Sequence, residues 1–173
     1  MSADISIKPR IEKLEAGFDL SDFDCGSEPL NRFLNSFALT NQKSGSSQTY
    51  LALISSAVVG YYSLAVGNVI YCEAHGRIAK GLPRHPVPVV ILARLAIHKD
   101  WQGRSLGSGL VLDALRRTLQ AADIAGVRAL VVHAKDEPAK AFYEHLGFEP
   151  FGDDSMTLYR LLKDVKTMLR GQN

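Results

Sequence analysis

The residues of this 173-residue chain that most clearly indicate chemistry lie in a glycine-bearing segment that precedes a helical pattern. They are Gln102, Gly103, Arg104, Ser105, Leu106, Gly107 and Ser108. Small residues let a bound group approach the backbone, and the first turn of a helix has unpaired N–H groups and the positive end of its dipole. A phosphate or pyrophosphate placed there would be held mainly by the main chain, with Arg104 adding a charge. The segment therefore predicts an anion-binding loop.

Two common nucleotide-binding loops do not fit this segment. A P-loop needs Gly-Lys-Ser/Thr after its last glycine, and a Rossmann loop needs G-x-G-x-x-G with an acidic residue at the end of the next strand. Neither spacing occurs between Gln102 and Gly109. Two alternatives remain, an anion site of another kind and a helix start that binds no ligand.

The patterns around the loop predict the elements that position it. Val89 to Ile97 is a nearly uninterrupted apolar run rich in β-branched residues, which predicts a strand, and helical spacing follows as far as Leu119. The preceding patterns predict a strand at Ile5–Lys8, a helix at Pro29–Asn41 with Leu30, Phe33, Leu34 and Phe37 on one apolar stripe, strands at Thr49–Ser55 and Ala57–Val66, and a loop over residues 67–88.

The patterns after the central helix complete the predicted fold. Val127–His133 predicts a buried strand, Asp136 caps a helix that stops at Gly147, and Thr157–Leu162 predicts a last strand. Strands that alternate with helices, with a hairpin ahead of the central strand, predict an α/β (α+β) domain with a mixed sheet. The length and the 46% hydrophobic content fit one domain over residues 1–173.

Composition narrows the class of protein. There is no run of eighteen apolar residues and no signal peptide, so we expect a soluble, cytoplasmic protein without a membrane partner. Cys25 and Cys72 lie far apart, which favours reduced, buried thiols. The five histidines show no ligand spacing, and no metal is predicted.

Charge is unevenly distributed along the chain, although the net charge is only +2. Residues 1–40 have four basic and seven acidic side chains, a balance of −3. Residues 74–112 have six basic side chains and one acidic side chain, a balance of +5. This asymmetry indicates either an anionic partner near the central loop or a solvated face that happens to be basic.

The segment from Gln102 to Gly107 resembles the pyrophosphate loop of the GNAT superfamily of N-acetyltransferases, whose pattern is Arg/Gln-x-x-Gly-x-Gly/Ala between the fourth strand and the next helix. Ser105 stands where the middle glycine is usual. A second register, Arg104 to Gly109, satisfies the pattern fully. We prefer the first because it leaves Leu95-Ala96-Ile97 in the strand. The resemblance implies the GNAT fold and acetyl-CoA as co-substrate.

A second resemblance to GNAT enzymes lies in the helix that follows the next strand. The matching residues are Asp136-x-x-Ala139-x-x-Phe142-Tyr143-x-x-x-Gly147-Phe148, with Asp136 where asparagine is commoner. In that family this tyrosine lies beside the sulfur of acetyl-CoA, which implies that Tyr143 is the general acid for the departing thiolate and that Asp136 and Phe142 belong to the coenzyme site. A phenol, with an ordinary pKa of about 10, is protonated at neutral pH. The alternative is that these aromatic residues are only the core stripe of a helix.

Several motifs outside the coenzyme loop resemble the acetyltransferase toxins of type II toxin-antitoxin modules. They are Phe23-Asp24-Cys25-Gly26, Leu30 with Leu34, Asn41-Gln42, Gly60-Tyr61-Tyr62-Ser63-Leu64, Ala93-Arg94-Leu95-Ala96 and His133-Ala134. The resemblance implies transfer of acetyl to the α-amino group of aminoacyl-tRNA, a block of translation, a ribbon-helix-helix antitoxin as partner and a homodimer. The alternatives are an acetyltransferase of a small amine, antibiotic or protein, and a non-catalytic binding module.

The implied mechanism is direct attack of the acceptor amine on the thioester, without a covalent enzyme intermediate. Main-chain N–H groups near Leu95, Ala96 and Ile97 are expected to bind the thioester carbonyl. An α-amino group titrates at about 7.7–8.0 in peptides, against about 10.4 for lysine, so it needs less help from a base, and no carboxylate is assigned that role. The basic residues expected to contact the acceptor are Arg77, Lys80, Arg84 and Arg94.

Overall fold

The computed structural model describes residues 7–69, 76–78, 80–81, 86–152 and 155–172. The strands of these residues are β1 (Arg10–Lys13), β2 (Gln48–Ile54), β3 (Ala57–Val69), β4 (Val87–Ile97), β5 (Ala129–His133), β6 (Glu149–Pro150) and β7 (Thr157–Leu161). They form one sheet in the order β1-β2-β3-β4-β5-β7-β6. β4 and β5 are parallel, whereas β1–β2, β5–β7 and β6–β7 are antiparallel. The predicted mixed sheet is therefore confirmed.

The helices alternate with these strands. They are α1 (Glu28–Arg32), a π-helical segment (Phe33–Phe37), α2 (Ala38–Lys43), α3 (Leu106–Ala122), α4 (Glu137–His145) and α5 (Leu162–Arg170), with short 3-10 turns at Gly76–Ile78 and Lys99–Trp101. In the part of the chain that the structure describes, no helix is long and apolar enough to span a membrane.

The chain divides into two compact units, each with its own core. The first comprises Met1–Ser63 and Arg94–Leu110, and its core cluster includes Phe33, Leu51 and Tyr61. The second comprises Leu64–Ala93 and Val111–Asn173, and its core cluster includes Val89, Val131 and Tyr159. Each fully buried apolar side chain contributes roughly 1.5–3 kcal/mol, so these clusters hold the strands that carry the candidate site. The single domain over residues 1–173 stays a prediction.

The hairpin, the central strand and the helix after β5 agree with the sequence patterns. Ser55 and Ser56 join β2 to β3, and β4 extends through Ile97 as expected. Asp136 caps α4, with its Oδ1 accepting a hydrogen bond from the Ala139 N–H at 2.8 Å. Gly147 follows the helix at a φ of 90°, the left-handed conformation of a C′ glycine.

The predicted first strand was misplaced. The predicted strand was Ile5–Lys8, of which residues 5 and 6 lie outside the described residues. Residues 7–9 are not in a strand, and β1 begins at Arg10. Pro9 has no N–H to give to a sheet, so pairing with β2 starts after it. The loop predicted at residues 67–88 is also shorter at both ends, because β3 reaches Val69 and β4 starts at Val87.

The predicted N-terminal helix is present but is not regular. It runs from Glu28 to Lys43 and contains the π-helical turn Phe33–Phe37. A π-turn adds a residue per turn and so rotates the side chains that follow it. The prediction of a single apolar stripe was therefore wrong at its end, because Phe33 and Leu34 are buried but Phe37 is 45% exposed.

The C-terminal helix α5 was missed. The pattern predicted a strand as far as Leu162, whereas β7 ends at Leu161 and α5 starts at Leu162. Buried Leu162 and Val165, three residues apart, are the helical signal that was overlooked. Of the two cysteines, Cys25 is a free thiol and only half-buried, and Cys72 lies outside the described residues.

Candidate acetyl-transfer site

The predicted anion loop lies between a short 3-10 turn and the start of α3. The turn ends at Trp101 and α3 begins at Leu106, so residues 102–105 form the loop itself. All four of these residues are exposed. The loop therefore lies at the surface, where an anionic ligand can reach its N–H groups.

The backbone of this loop turns twice through the left-handed region. Gly103 has a φ of 77° and Ser105 a φ of 63°. A side chain in that conformation costs roughly 1–2 kcal/mol, which glycine avoids. Ser105 thus adopts the conformation expected of the glycine it replaces. A Cβ added to Gly103 would meet no atom within 4 Å, so conformation rather than space favours glycine there.

Gln102 fixes the start of the loop through its side chain. Its Nε2 donates to the Ile97 carbonyl at 3.0 Å and to the Cys25 carbonyl at 3.1 Å. Both N–H groups of this amide are therefore used on the protein, and the side chain positions the loop. Arg104 remains exposed, with its guanidinium carbon 4.7 Å from the centre of the Trp101 ring.

A turn at Asp24–Gly26 holds the same loop from the N-terminal side. The Asp24 carboxylate accepts hydrogen bonds from the Gly26 N–H at 2.9 Å and from Asn31 Nδ2 at 3.0 Å, and it pairs with Lys99 Nζ at 3.1 Å. These contacts, led by the Gly26 N–H, lower the pKa of Asp24 to about 2. The Lys99 N–H also donates to the Asp24 carbonyl at 2.8 Å.

The last residues of β4 lie directly before this loop. Ala96 is buried, and Leu95 and Ile97 are partly buried. A Cβ added to Gly60 would lie 3.1 Å from the Ala96 carbonyl oxygen and 3.0 Å from the Ile97 side chain. Glycine at position 60 therefore allows β3 to approach the end of β4 closely, which fixes the backbone whose N–H groups are expected to bind the thioester.

Tyr143 lies on α4 in an apolar environment. It is 7% exposed, and its ring meets Phe142 and Phe148 edge-on, at 5.1 and 5.5 Å between centres. Burial raises the pKa of Tyr143 to about 12, because the phenolate would lose its hydration. The hydroxyl is therefore fully protonated at neutral pH, as a proton donor requires.

The four predicted acceptor-binding cations have different surroundings. Arg77 is paired with Glu149 at 3.1 Å and with Asp164 at 2.8 Å, and these carboxylates raise its pKa. Lys80 is exposed, and Arg84 lies outside the described residues. Arg94 is half-buried, with its guanidinium carbon 3.6 Å from the centre of the Phe33 ring. The positive charge of Arg77 is thus balanced by carboxylates, so fewer cations are available to an anionic partner than the sequence suggested.

A cavity of about 630 Å³ lies within the second unit. It is lined by Asn68, Val69, Val89, Ile91, Val131, His133, Phe151, Gly152, Ser155 and Thr157. His133 Nδ1 lies 2.7 Å from Thr157 Oγ1. No group of three or more potential metal-ligating side chains occurs among the described residues.

Residues 45–150 match the acetyltransferase (GNAT) domain family. The chain belongs to the GNAT family. A relative from Mycobacterium tuberculosis (strain ATCC 25618 / H37Rv), the tRNA-acetylating toxin, is 41% identical over 151 residues, which cover 87% of this chain and 90% of the relative.

Two solved structures of GNAT toxins are also similar to this chain. AtaT complexed with acetyl-methionyl-tRNAfMet has a TM-score of 0.86 and 30% identity, covering 92% of this chain and 98% of that one. A tyrosine-to-phenylalanine mutant of AtaT, bound to the C-terminus of the antitoxin AtaR and to acetyl-CoA, has a TM-score of 0.78 and 31% identity, covering 94% and 98%. The likeness therefore extends over almost the whole chain.

Two contacts between distant segments were not predicted from the sequence, those of Asp24 with Lys99 and of His133 with Thr157. Asp24 was noticed only as part of a motif, and its link to Lys99 depends on a contact between distant segments. His133 was likewise noticed only as part of a motif. A polar residue that ends the apolar run Ala129–Val132 was the available signal, because functional groups often follow the carboxyl ends of parallel strands.

Proposed function

We propose that this chain is the toxin of a type II toxin-antitoxin module, which transfers acetyl from acetyl-CoA to the α-amino group of aminoacyl-tRNA and so blocks translation. The observation that carries this proposal is the 41% identity, over 87% of the chain, to a toxin named for acetylating tRNA. The similarity of AtaT in complex with an acetylated methionyl-tRNA supports the same acceptor.

The coenzyme is assigned to the loop before α3. The pyrophosphate would accept hydrogen bonds from main-chain N–H groups of residues 102–108, with Arg104 beside it. The left-handed backbone at Gly103 and Ser105 and the exposure of residues 102–105 support this assignment. The first register also agrees with the start of α3, since only Gln102 to Ser105 precede the helix.

The chemistry assigned to this chain is a direct transfer. Main-chain N–H groups near Leu95–Ile97 would bind the thioester oxygen as negative charge develops on it. The neutral amine attacks the carbonyl carbon, the C–N bond forms, and the nitrogen releases a proton to solvent. The C–S bond then breaks with its electron pair left on sulfur. Tyr143 donates its hydroxyl proton to that thiolate. Its burial and its pKa of about 12 support this role, since the donor is never lost to ionisation near neutral pH.

The acceptor would be held by the phosphate-binding cations that remain unpaired with carboxylates in the described contacts. Arg94 is the strongest candidate, because its planar guanidinium is only half-buried and is held against the Phe33 ring. Lys80 is a second candidate. Arg77 is a weaker candidate, since its charge is balanced by two carboxylates. Arg84 is proposed from the sequence alone.

The partners follow from the toxin assignment. A cognate antitoxin is supported by the AtaT structure that contains the C-terminus of AtaR. We extend the proposal to a ribbon-helix-helix antitoxin, a homodimer and a cytoplasmic location, because these accompany the toxin resemblance. Gel-filtration mass and co-purification with the product of the adjacent gene would test them.

An acetyltransferase of a small amine or protein is the second candidate function. The observation that favours it is the pairing of Arg77 and Lys99 with carboxylates, which leaves fewer cations for a phosphate backbone than the balance of +5 suggests. The two functions differ in the acceptor and in the salt dependence of the reaction.

A competition between acceptors distinguishes the two functions. Charged tRNA, the matching free amino acid and a lysine peptide are offered at equal concentration with radiolabelled acetyl-CoA, and uncharged tRNA and Tyr143→Phe serve as controls. We expect label on charged tRNA alone, with a rate that falls steeply as salt rises. Label on the free amine or the peptide at a matching rate would favour the second function.

A further inference from the structure

The π-helical turn Phe33–Phe37 has two contacts between an arginine and an aromatic ring. The guanidinium carbon of Arg94 lies 3.6 Å from the centre of the Phe33 ring, and that of Arg32 lies 5.7 Å from the centre of the Phe37 ring. All four residues belong to the first compact unit. Single π-helical turns inside α-helices occur frequently at functional sites. This turn therefore combines aromatic rings and guanidinium groups at one place in the fold.

The two rings of the turn have different environments. Phe33 is buried, and its ring stacks on the ring of Tyr61 with 6.2 Å between centres, so it belongs to the core. Phe37 is exposed, as are the polar residues Asn35 and Ser36 beside it. One exposed apolar side chain is common on protein surfaces and has no meaning alone. The ring of Phe37 is distinctive because it lies on a polar surface beside a cation.

The charge of Arg32 is available to a partner. Its side chain is exposed, and no carboxylate of the described residues pairs with it, although Glu28 lies one turn earlier on the same helix. An exposed aromatic ring beside such a guanidinium matches two parts of a single-stranded nucleic acid. A base can stack on the ring, and a phosphate can accept hydrogen bonds from the guanidinium.

The turn lies close to the strand end that is assigned to the thioester. Arg94, which contacts Phe33, directly precedes Leu95–Ile97 on β4, and Ala96 belongs to the same core cluster as Phe33. Phe37 follows Phe33 by four residues, which is about 6 Å along a helix axis. The exposed ring is therefore about one helical turn from the residue that contacts this end of β4.

The helix that leads into the turn is also connected to the coenzyme loop. The Cys25 N–H donates to Asn31 Oδ1 on α1 at 2.9 Å, and the Cys25 carbonyl accepts from Gln102 Nε2 at 3.1 Å. These residues all belong to the first unit. The same short segment thus positions both α1 and the loop that is assigned to the pyrophosphate.

Resting on the proposed function, we infer that Phe37 stacks on a base of the unpaired 3′ end of charged tRNA and that Arg32 contacts a phosphate of the same strand. This end carries the aminoacyl ester, so binding it beside the end of β4 brings the α-amino group towards the thioester. Every base has a face that can stack, and phosphate contacts carry no sequence information. The site therefore recognises the class of acceptor and not one particular tRNA.

Uncharged tRNA with and without its unpaired 3′ nucleotides tests the stack by fluorescence anisotropy. Phe37→Ala should weaken binding of the complete tRNA about tenfold, the effect of losing one base–aromatic stack, and should leave binding of the truncated tRNA unchanged. Phe37→Trp should keep the affinity of the wild type, whereas Phe37→Leu should not, because leucine has no aromatic face. Ile124→Ala, which removes another exposed apolar side chain, is the matched control and should bind both tRNAs normally.

The salt dependence of binding tests Arg32 separately. In Arg32→Ala the slope of log K against log salt should become shallower by about 0.7, the value for one phosphate of a single strand. Phe37→Ala should keep the slope of the wild type, since a stack releases no counterion. Arg116→Ala, which removes an exposed arginine of α3, is the matched control. An unchanged slope in Arg32→Ala would overturn the phosphate contact.

Turnover and oligomeric mass complete the test. In Phe37→Ala the KM for charged tRNA should rise about tenfold, with kcat, acetyl-CoA affinity and gel-filtration mass unchanged. Normal affinity for complete tRNA in this variant, or equal losses with both tRNAs, would overturn the stack alone. A changed mass would make the ring a contact between copies of the chain and overturn it as well. A wild-type enzyme that neither binds nor acetylates charged tRNA would overturn the proposed acceptor together with this site.

Discussion

The coenzyme loop and the region around Tyr143 offer two different kinds of chemistry. The loop at residues 102–105 is exposed, and what it presents to a ligand is main chain in an unusual conformation. The second region presents one side-chain group, the hydroxyl of the buried Tyr143. Binding in the first region therefore depends on backbone geometry, whereas chemistry in the second depends on individual atoms.

This difference predicts which substitutions each region tolerates. A backbone site tolerates a change of side chain when φ and ψ are preserved, and Ser105 keeps the left-handed φ expected of the usual glycine. A side-chain site loses its function when one atom is removed, even if packing is unchanged. Affinity for acetyl-CoA and turnover should accordingly respond to different sets of variants.

The largest expected effect is on turnover in Tyr143→Phe. The variant keeps the ring that packs on Phe142 and Phe148 but deletes the proton donor. Turnover should fall about 100-fold or more, with little change in acetyl-CoA affinity measured by calorimetry. Phe148→Leu, which removes a ring contact but no donor, is the control. Retained turnover in Tyr143→Phe would make the tyrosine a core residue.

The next effect is on coenzyme binding in Gly107→Glu. Bulk and negative charge are added in the first turn of α3, where the pyrophosphate is expected. Affinity for acetyl-CoA should fall by about tenfold or more, because like charge now opposes the ligand. Ser108→Ala, in the same turn, should bind almost normally. A fully folded Gly107→Glu enzyme with unchanged affinity would contradict the loop assignment.

A smaller effect is expected from Asp24→Asn, which tests how the loop is held. Loss of the ion pair with Lys99 and weaker hydrogen bonds from Gly26 and Asn31 should raise the KM for acetyl-CoA about threefold and leave kcat unchanged. Asp19→Asn is the matched control, because that carboxylate accepts hydrogen bonds only from Ser21 in the described contacts. Equal KM values in both variants would remove the anchoring role.

The same variant has a pH dependence with a defined sign. The pKa of Asp24 is lowered to about 2, below the ordinary value of about 3.9. The stabilisation by its charged form is therefore fully present above pH 4 or so and is lost as the pH falls towards about 2. Acid unfolding followed by circular dichroism should show this portion of the transition in the wild type and not in Asp24→Asn.

The smallest effect is expected at Ser105, where conformation alone is tested. Ser105→Gly relieves a left-handed residue but makes the unfolded chain more flexible, and the two effects nearly cancel to within about 1 kcal/mol. Ser105→Val adds a β-branched side chain at a φ of 63° and should lower stability by about 1 kcal/mol or more. Thermal unfolding measures both, and equal melting temperatures would argue against a strained loop.

Local pattern predicted the elements that carry the candidate site. A β-branched run predicted β4, helical spacing predicted α3, and the Asp136 cap with Gly147 bounded α4, because each signal lies within a few residues along the chain. The prediction from periodicity failed where the N-terminal helix is irregular, because the π-helical turn leaves Phe37 exposed. The assigned site residues themselves stay predictions until the variants are measured.

The sequence by itself determined the GNAT fold and the loop between β4 and α3, since motifs and periodicity are properties of neighbouring residues. Only the tertiary structure decided which charges are available and what supports the site. Arg77 is paired with a carboxylate 72 residues away, Gln102 with a carbonyl 77 residues away and His133 with a threonine 24 residues away. No local pattern encodes such partners, because side chains meet across the sheet only after the strands have taken their register.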